Sequence, residues 1–99
     1  MTEFQVRMRL LKPPLAGLKA VASVEFPMGI ALEQINIYES ETDAAPVVKF
    51  PVTGSRGPVR PAVKFTDKEL RARVTQEILR VYRQEQQADR GAALLQRTI

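Results

Sequence analysis

The residues of this chain that are best suited to chemistry are the cations of one short stretch, which could bind phosphate groups. Between Pro51 and Thr75 six basic side chains face two acidic ones, whereas the first fifty residues hold five basic and six acidic side chains. The six cations are Arg56, Arg60, Lys64, Lys68, Arg71 and Arg73. A local excess of positive charge attracts polyanions, so we expect these residues to form a nucleic-acid-binding surface.

Two of these arginines lie in a segment rich in glycine and proline. Residues Pro51 to Pro61 include Gly54, Gly57 and three prolines, which predicts a surface loop with little regular structure. Backbone N–H groups beside glycine could approach a phosphate together with the guanidinium groups of Arg56 and Arg60. The alternative is that two loop arginines are simply solvated. When Arg56 and Arg60 are considered together with Lys64, Lys68 and Arg71, phosphate binding and simple solvation are about equally supported.

Enzyme and metal chemistry have few candidate residues here. The chain has no histidine and no cysteine, the residues that most often serve as general base, thiolate nucleophile or transition-metal ligand. Glu39, Glu41 and Asp43 alternate in a polar segment but lack the glycine and the bidentate glutamate of a calcium-binding EF-hand loop. We therefore predict no enzyme activity, no catalytic residue, no bound metal and no cofactor, and interpret this acidic segment as a solvated loop.

Composition places the chain among folded domains. Its 99 residues are 44% hydrophobic and 26% charged, which predicts one domain over 1–99 with a core at about 4–87 and a tail at 88–99. No apolar run approaches the ~20 residues of a membrane-spanning helix, and the N-terminus does not resemble an export signal. Together with the absence of cysteine, this predicts a cytoplasmic protein without membrane contacts.

Apolar residues that alternate with polar ones predict strands of a small antiparallel sheet. The strands are Phe4–Leu10 ending at Pro13-Pro14, Leu18–Phe26, Ile30–Tyr38 and Val47–Phe50, with Ala62–Phe65 as a brief fifth strand or an extended arm. The short connection from Pro13 to Gly17 predicts a hairpin between the first two strands. In the third strand the apolar positions change from even to odd, which predicts a bulge near Glu33 or Gln34.

A single helix is predicted after the sheet. Thr66 and Glu69 have the spacing of a capping box, and Leu70, Val74, Ile78 and Val81, flanked by Tyr82, form an apolar stripe suited to a sheet face. We expect the helix to end near Gln87, with Gly91 as a stop. The predicted fold class is α+β: an antiparallel sheet of four to five strands with a C-terminal helix packed on it.

Some candidates also have a purely structural interpretation. Glu77 lies four residues from Arg73 and three from Arg80, so these arginines could form surface ion pairs instead of contacting a ligand. Phe50 and Phe65 flank the basic segment and could stack on bases, although core packing is the favoured interpretation at the ends of strands.

The order of these elements, together with their residues, resembles the SpoVG family of bacterial septation regulators (stage V sporulation protein G). The resemblance covers about Val6 to Arg83. It depends on Val6-Arg7-Met8-Arg9, Leu18-Lys19-Ala20-Val21-Ala22-Ser23-Val24, Ile35-Asn36-Ile37 and Val48-Lys49-Phe50-Pro51, and on the helix positions Arg71, Arg73 and Tyr82.

The resemblance implies a homodimer that binds DNA, with RNA as a second ligand, and that regulates gene expression in septation, sporulation or cell division. By position it assigns the nucleic-acid role to Arg60, Arg71 and Arg73. The competing hypothesis is a non-catalytic protein-interaction module that docks a partner through a sheet edge or its C-terminal helix, with the arginines serving only solubility. An enzyme ranks third, because no convergent catalytic set is visible.

Overall fold

The structure, a computed structural model, describes residues 3–39, 45–53 and 60–97. Its elements are β1 (Gln5–Leu15), β2 (Leu18–Phe26), β3 (Ile30–Tyr38), β4 (Val47–Lys49), β5 (Val52–Thr53), β6 (Arg60–Pro61) and α1 (Lys68–Arg97). Strands β1 to β4 form one antiparallel sheet in sequence order, and β5 pairs with β6 in a separate two-stranded ribbon. The predicted α+β fold is confirmed. The described helix lacks the continuous apolar character needed to cross a bilayer.

The first hairpin closes through a two-residue turn at Ala16 and Gly17, which have positive φ angles of 51° and 84°. The prediction that Pro13-Pro14 ends the first strand is wrong, because β1 continues to Leu15. Between the pairs Leu10↔Ala20 and Leu15↔Leu18 the ladder is irregular, with residues 11–14 of β1 opposite residue 19 of β2. Proline is tolerated there because β1 is an edge strand and no regular ladder bond requires its missing N–H group.

The predicted bulge in the third strand is confirmed. The register of β2 with β3 shifts between Ala22↔Ile35 and Val24↔Leu32, so residues 33 and 34 lie opposite Ser23 alone. Gln34 has a φ angle of +61°. The extra residue keeps both halves of β3 facing the core despite the change from even to odd apolar positions.

The core lies between one face of the sheet and α1. It comprises Ala20, Ala22, Val24, Ile35 and Ile37 of the sheet with Val74, Ile78 and Tyr82 of the helix, all at most 2% exposed. The apolar stripe therefore continues from Ile78 to Tyr82, whereas Val81, which the sequence placed in the stripe, is only half-buried. Tyr82 keeps a polar contact from this position, because its hydroxyl donates a 2.7 Å hydrogen bond to the carboxylate of Glu39.

The helix begins under a different cap from the predicted one. The Asp67 carboxylate accepts hydrogen bonds from the backbone N–H groups of Glu69 at 2.9 Å and Leu70 at 3.3 Å. Asp67 is therefore the N-cap, and the predicted capping box from Thr66 to Glu69 is wrong by one residue.

The predicted helix end near Gln87 is also wrong, since α1 runs through Gly91 to Arg97. One glycine inside a helix costs only about 1 kcal/mol, and the residues that follow it, Ala92-Ala93-Leu94-Leu95, favour helix. Most of the predicted tail at 88–99 is accordingly helical.

The segment predicted as an irregular loop contains the β5–β6 ribbon, with Val52 paired to Pro61 and Thr53 to Arg60. The Ala62 N–H group donates a 2.9 Å hydrogen bond to the Pro51 carbonyl, which adds one backbone hydrogen bond next to the β5–β6 pairing. No strand is assigned to Ala62–Phe65, where the sequence predicts a brief strand or an extended arm; the short strand β6 lies two residues earlier.

The helix runs alongside β1 in the same direction. Near its start Arg73 contacts Glu3, and near its far end Asp89 contacts Lys12. The helix thus covers one face of the sheet and leaves the opposite face, here called the open face, without a covering element among the described residues.

Candidate nucleic-acid interface

Three of the six predicted cations lie together at the start of α1. Lys64, Lys68 and Arg71 are exposed, and the structure records no ion pair between them and any described residue. Lys68 is the first residue of α1 and Arg71 follows three residues later, a spacing that places their Cβ atoms about 5–6 Å apart on one side of the helix. We call these three residues the helix-start cluster.

The chain leading into this cluster is anchored to the body of the protein. The rings of Phe50 and Phe65 meet edge to face with centroids 5.2 Å apart, and both side chains pack against the core. This contact favours the core interpretation of the two aromatics over base stacking. The ring contact also fixes the position of Phe65, the residue next to Lys64.

The two loop arginines are less completely placed. Arg60 is described by its backbone, which pairs with Thr53 in the β5–β6 ribbon and so precedes the helix-start cluster by only a few residues. Arg56 lies outside the described residues. The sequence prediction for both side chains therefore stays a prediction.

Arg73 lies apart from the helix-start cluster. Its guanidinium group donates two hydrogen bonds to Glu3, from Nε to Oε2 at 3.0 Å and from Nη2 to Oε1 at 3.3 Å. Two residues correspond to about 200° around a helix, so Arg73 points away from the side that carries Arg71. Exposed ion pairs contribute about 0–1 kcal/mol. A phosphate could therefore replace Glu3 at low cost, but the structure does not join Arg73 to the other cations.

The predicted ion pair between Glu77 and Arg80 is present. The Arg80 Nε atom donates to the Glu77 carboxylate at 3.0 Å. Hydrogen bonding to Arg80 lowers the pKa of Glu77; burial opposes this shift, and the positive charge of Arg80 adds to it. The same hydrogen bonds raise the pKa of Arg80. Glu77 therefore pairs with Arg80, while Arg73 pairs with Glu3.

The backbone at the helix start offers little to an anion, although the positive end of a helix dipole often binds phosphate. The N–H groups of Glu69 and Leu70 are bonded to Asp67, and the N–H group of Arg71 donates to the Asp67 carbonyl at 3.1 Å. Any phosphate at this end of α1 must therefore be bound mainly by the side chains of Lys68 and Arg71.

The open face carries residues that the sequence analysis did not select. The strand register places Arg9 beside Val21, Val21 beside Asn36 and Asn36 beside Lys49, in one row across all four strands. Arg9 and Lys49 are exposed and form no ion pair with a described residue. The Lys49 ammonium lies over the ring of Tyr38, 4.9 Å from its centroid.

The open face also has a shallow depression of about 370 Å³ at the bulge. Arg7, Arg9, Ser23, Glu33 and Gln34 contribute to its lining. Arg7 approaches the Glu25 carboxylate at 3.7 Å, with both side chains more than half exposed. The cations of this surface are far apart in sequence, so they produce no local excess of charge along the chain. The alternation of Gln5, Arg7 and Arg9 with apolar residues is the sequence signal that indicates a polar face of β1.

Metal binding has no support from the described side chains, among which no group of three or more acidic residues is close enough to hold an ion.

Comparison with known proteins gives no identification: no family model, no curated protein and no solved structure matches this chain. The resemblance to the SpoVG family stays a prediction. The function must therefore be argued from the surface itself.

Proposed function

We propose that this chain is a homodimeric nucleic-acid-binding regulator that binds DNA, with RNA as a second ligand, through the basic surface at the start of α1. The observation that carries the proposal is the helix-start cluster: three exposed cations within eight residues, none of them paired to a described carboxylate. Arg56 and Arg60 would extend this surface from the preceding loop, and Arg73 would join it by exchanging Glu3 for a phosphate.

The local charge balance supports binding by side chains. The two acidic residues nearest to the cluster in sequence are Asp67 and Glu69, and the Asp67 carboxylate already accepts two backbone hydrogen bonds. Lys68 and Arg71 thus face water without a competing carboxylate partner. Release of counterions from a phosphate backbone is the expected driving force, which makes the affinity dependent on salt.

The dimensions of the chain support a homodimer. The accessible surface is 7847 Å², whereas a compact monomer of 11.1 kDa exposes about 5,700 Å². The radius of gyration of 15.3 Å also exceeds the roughly 12.6 Å of a compact 99-residue domain. A second copy would cover part of this excess and double the number of cations. With about three phosphates bound per protomer, log K should fall with log salt at a slope near −5.

The regulatory role and the cytoplasmic location depend on the resemblance to SpoVG and on the absence of cysteine. The three members of the helix-start cluster are exposed cations, which bind phosphate oxygens whatever the base sequence and would read a base only where guanine comes within reach. We therefore propose binding that is dominated by phosphate contacts.

The decisive experiment is a salt titration of duplex DNA binding by fluorescence anisotropy, with the double variant Lys68→Ala/Arg71→Ala. Four cations are lost per dimer, so the salt slope should become less negative by about 3 to 4 and binding at low salt should weaken at least tenfold. Arg80→Ala is the matched control, because Arg80 is paired with Glu77 on the other flank of the helix. No binding by the unmodified protein at low salt would end the proposal.

The second candidate is a protein-interaction module. It is favoured by the outer edge of β1, which pairs with no described strand and could accept a strand from a partner. Light scattering shows whether the chain is a dimer by itself. Salt-insensitive capture of one protein, together with an absence of DNA binding, would favour this alternative.

A further inference from the structure

We propose that the open face of the sheet is a second binding surface, one that takes single-stranded nucleic acid. The inference rests on the proposed function in taking nucleic acid as the ligand, but it uses different residues on the opposite side of the sheet from α1. The observation that carries it is the row of Arg9, Val21, Asn36 and Lys49 across the four strands, with Tyr38 beside it.

The positions of the cations suit a phosphate backbone that crosses the strands. Neighbouring strands lie about 4.8 Å apart, so the backbone positions of Arg9 and Lys49 are separated by roughly 14 Å. This distance accommodates two or three nucleotides, the number that other four-stranded sheets bind on one face. Arg9 at one end and Lys49 at the other would each contact a phosphate.

The middle of the row supplies contacts for bases. Tyr38 provides a ring, and Val21, opposite Asn36 on the same face, provides an apolar surface; neither residue belongs to the core cluster. Asn36 is half-buried between Val21 and Lys49, with an amide that can donate and accept hydrogen bonds. A base that stacks on Tyr38 would displace the Lys49 ammonium toward the adjacent phosphate, because stacking is the stronger of the two interactions.

The shape of the face selects single strands over duplexes. The depression at the bulge is shallow, and the open face is a four-stranded sheet, which is wider than the helix or two-stranded ribbon that a major groove admits. A single strand can lie flat with its bases turned toward the sheet. Among the described residues, two carboxylates lie on this face, Glu25 and Glu33. Both lie toward the far end of β3 from Tyr38; Glu25 is partly neutralised by Arg7, and Glu33 lines the depression together with Arg9.

The test compares a fluorescein-labelled 12-nucleotide oligothymidylate with a 12-base-pair duplex, using unmodified protein and open-face variants. Arg9→Ala/Lys49→Ala should weaken single-strand binding about tenfold or more and make its salt slope less negative. Tyr38→Ala should weaken it at least about fivefold, whereas Tyr38→Phe, which keeps the ring, should stay within about twofold. Duplex affinity should not change in any of these variants.

A spectroscopic readout locates the contact independently. The chain has two tyrosines and no tryptophan, and Tyr82 is fully buried. With 3-fluorotyrosine incorporated, the fluorine resonance of Tyr38 should shift on addition of the oligothymidylate while that of Tyr82 should not. The Tyr82→Phe variant assigns the two resonances. Circular dichroism of each variant shows that the fold is retained.

The outcomes separate this inference from the proposed function. If duplex binding depends on Lys68 and Arg71 but the open-face variants bind the single strand as the unmodified protein does, the open-face proposal is wrong and the helix-start site stands. The reverse pattern supports the open face and removes the helix-start site. If the open-face variants instead change a dimer into a monomer without altering single-strand affinity, the face joins two copies of the chain and the inference is overturned.

Discussion

The two faces of the sheet are built from alternate residues of the same strands, yet they have different properties. In β2 the side chains of Ala20 and Ala22 are at most 2% exposed under α1, whereas Val21 between them faces the open side. In β3 the same contrast separates Ile37 from Asn36. The comparison shows that a step of one residue along a strand moves a side chain from the buried core to a face that is in contact with solvent.

Charged side chains are also absent from the buried core that the described residues form. Among the described residues no charged side chain is buried, so the strand cations Arg7, Arg9 and Lys49 all remain in contact with water. The covered face is therefore expected to contribute most of the stability, whereas substitutions on the open face should affect stability little. The strand register determines which side chains face the core and which face the open side. The bulge at Gln34 is therefore the point at which a change in chain length would turn core residues of β3 to the open face.

Deletion of Gln34 should give the largest loss of stability. Without the extra residue, Ile35 and Ile37 would turn toward the open face while Leu32 stays in place. Exposure of two large apolar side chains should cost about 3–6 kcal/mol, a large part of the stability of a small domain. Urea unfolding followed by circular dichroism measures this loss. Gln34→Gly, which retains the bulge and suits its positive φ, is the control and should be at least as stable as the unmodified protein. Equal stability of the deletion and the glycine variant would contradict the role of the bulge.

Substitution of two neighbouring residues compares the faces directly. Ile37→Ala should reduce the free energy of unfolding by about 2–5 kcal/mol because it creates a cavity in the core. Asn36→Ala should have a much smaller effect, of about 1 kcal/mol or less, because Asn36 is only half-buried and lies outside the core. Urea midpoints with unchanged m-values provide the measurement. Similar losses for both variants would show that the open face is covered in solution.

The smallest effect is expected for the exposed ion pair of Glu77 with Arg80. The pKa of Glu77 is lowered in the folded state, so the pair stabilises the protein above the ordinary glutamate pKa of about 4.3. That contribution disappears as the pH falls through the lowered pKa. Glu77→Gln should therefore be slightly less stable than the unmodified protein at pH 7, and the difference should shrink as the pH is lowered below the ordinary glutamate pKa. The matched change Glu85→Gln, at an exposed helix position without a recorded ion pair, should have less effect at pH 7. A stability difference that increases toward acid pH would refute this account.

Local patterns in the sequence predicted most of the fold. Alternation identified β2 and the even-numbered core residues, and the change of phase in β3 located the bulge, because both follow from the two-residue period of a strand. The errors occurred where a local signal competes with its surroundings. Pro13-Pro14 was interpreted as the end of a strand, but an irregular edge ladder accepts proline, and Gly91 was interpreted as a stop within a segment that otherwise favours helix.

The candidate site was less predictable than the fold. Residues close in sequence, such as Lys64, Lys68 and Arg71, could be grouped by counting charge because one helix start holds them together. The pairing of Arg73 with Glu3 was missed because the two residues are 70 positions apart and meet only through the packing of α1 on β1. The open-face row required the strand register, which no count of charge along the chain contains.

The irregular stretch of β1 at Pro13-Pro14 has a consequence for aggregation. A long edge strand can recruit further strands without limit and so seed a fibre. Proline has no N–H group to offer an incoming chain, so regular pairing of an added strand along β1 would be interrupted at Pro13-Pro14. The two prolines thus limit the length over which another strand can pair with β1, which opposes the growth of a fibre.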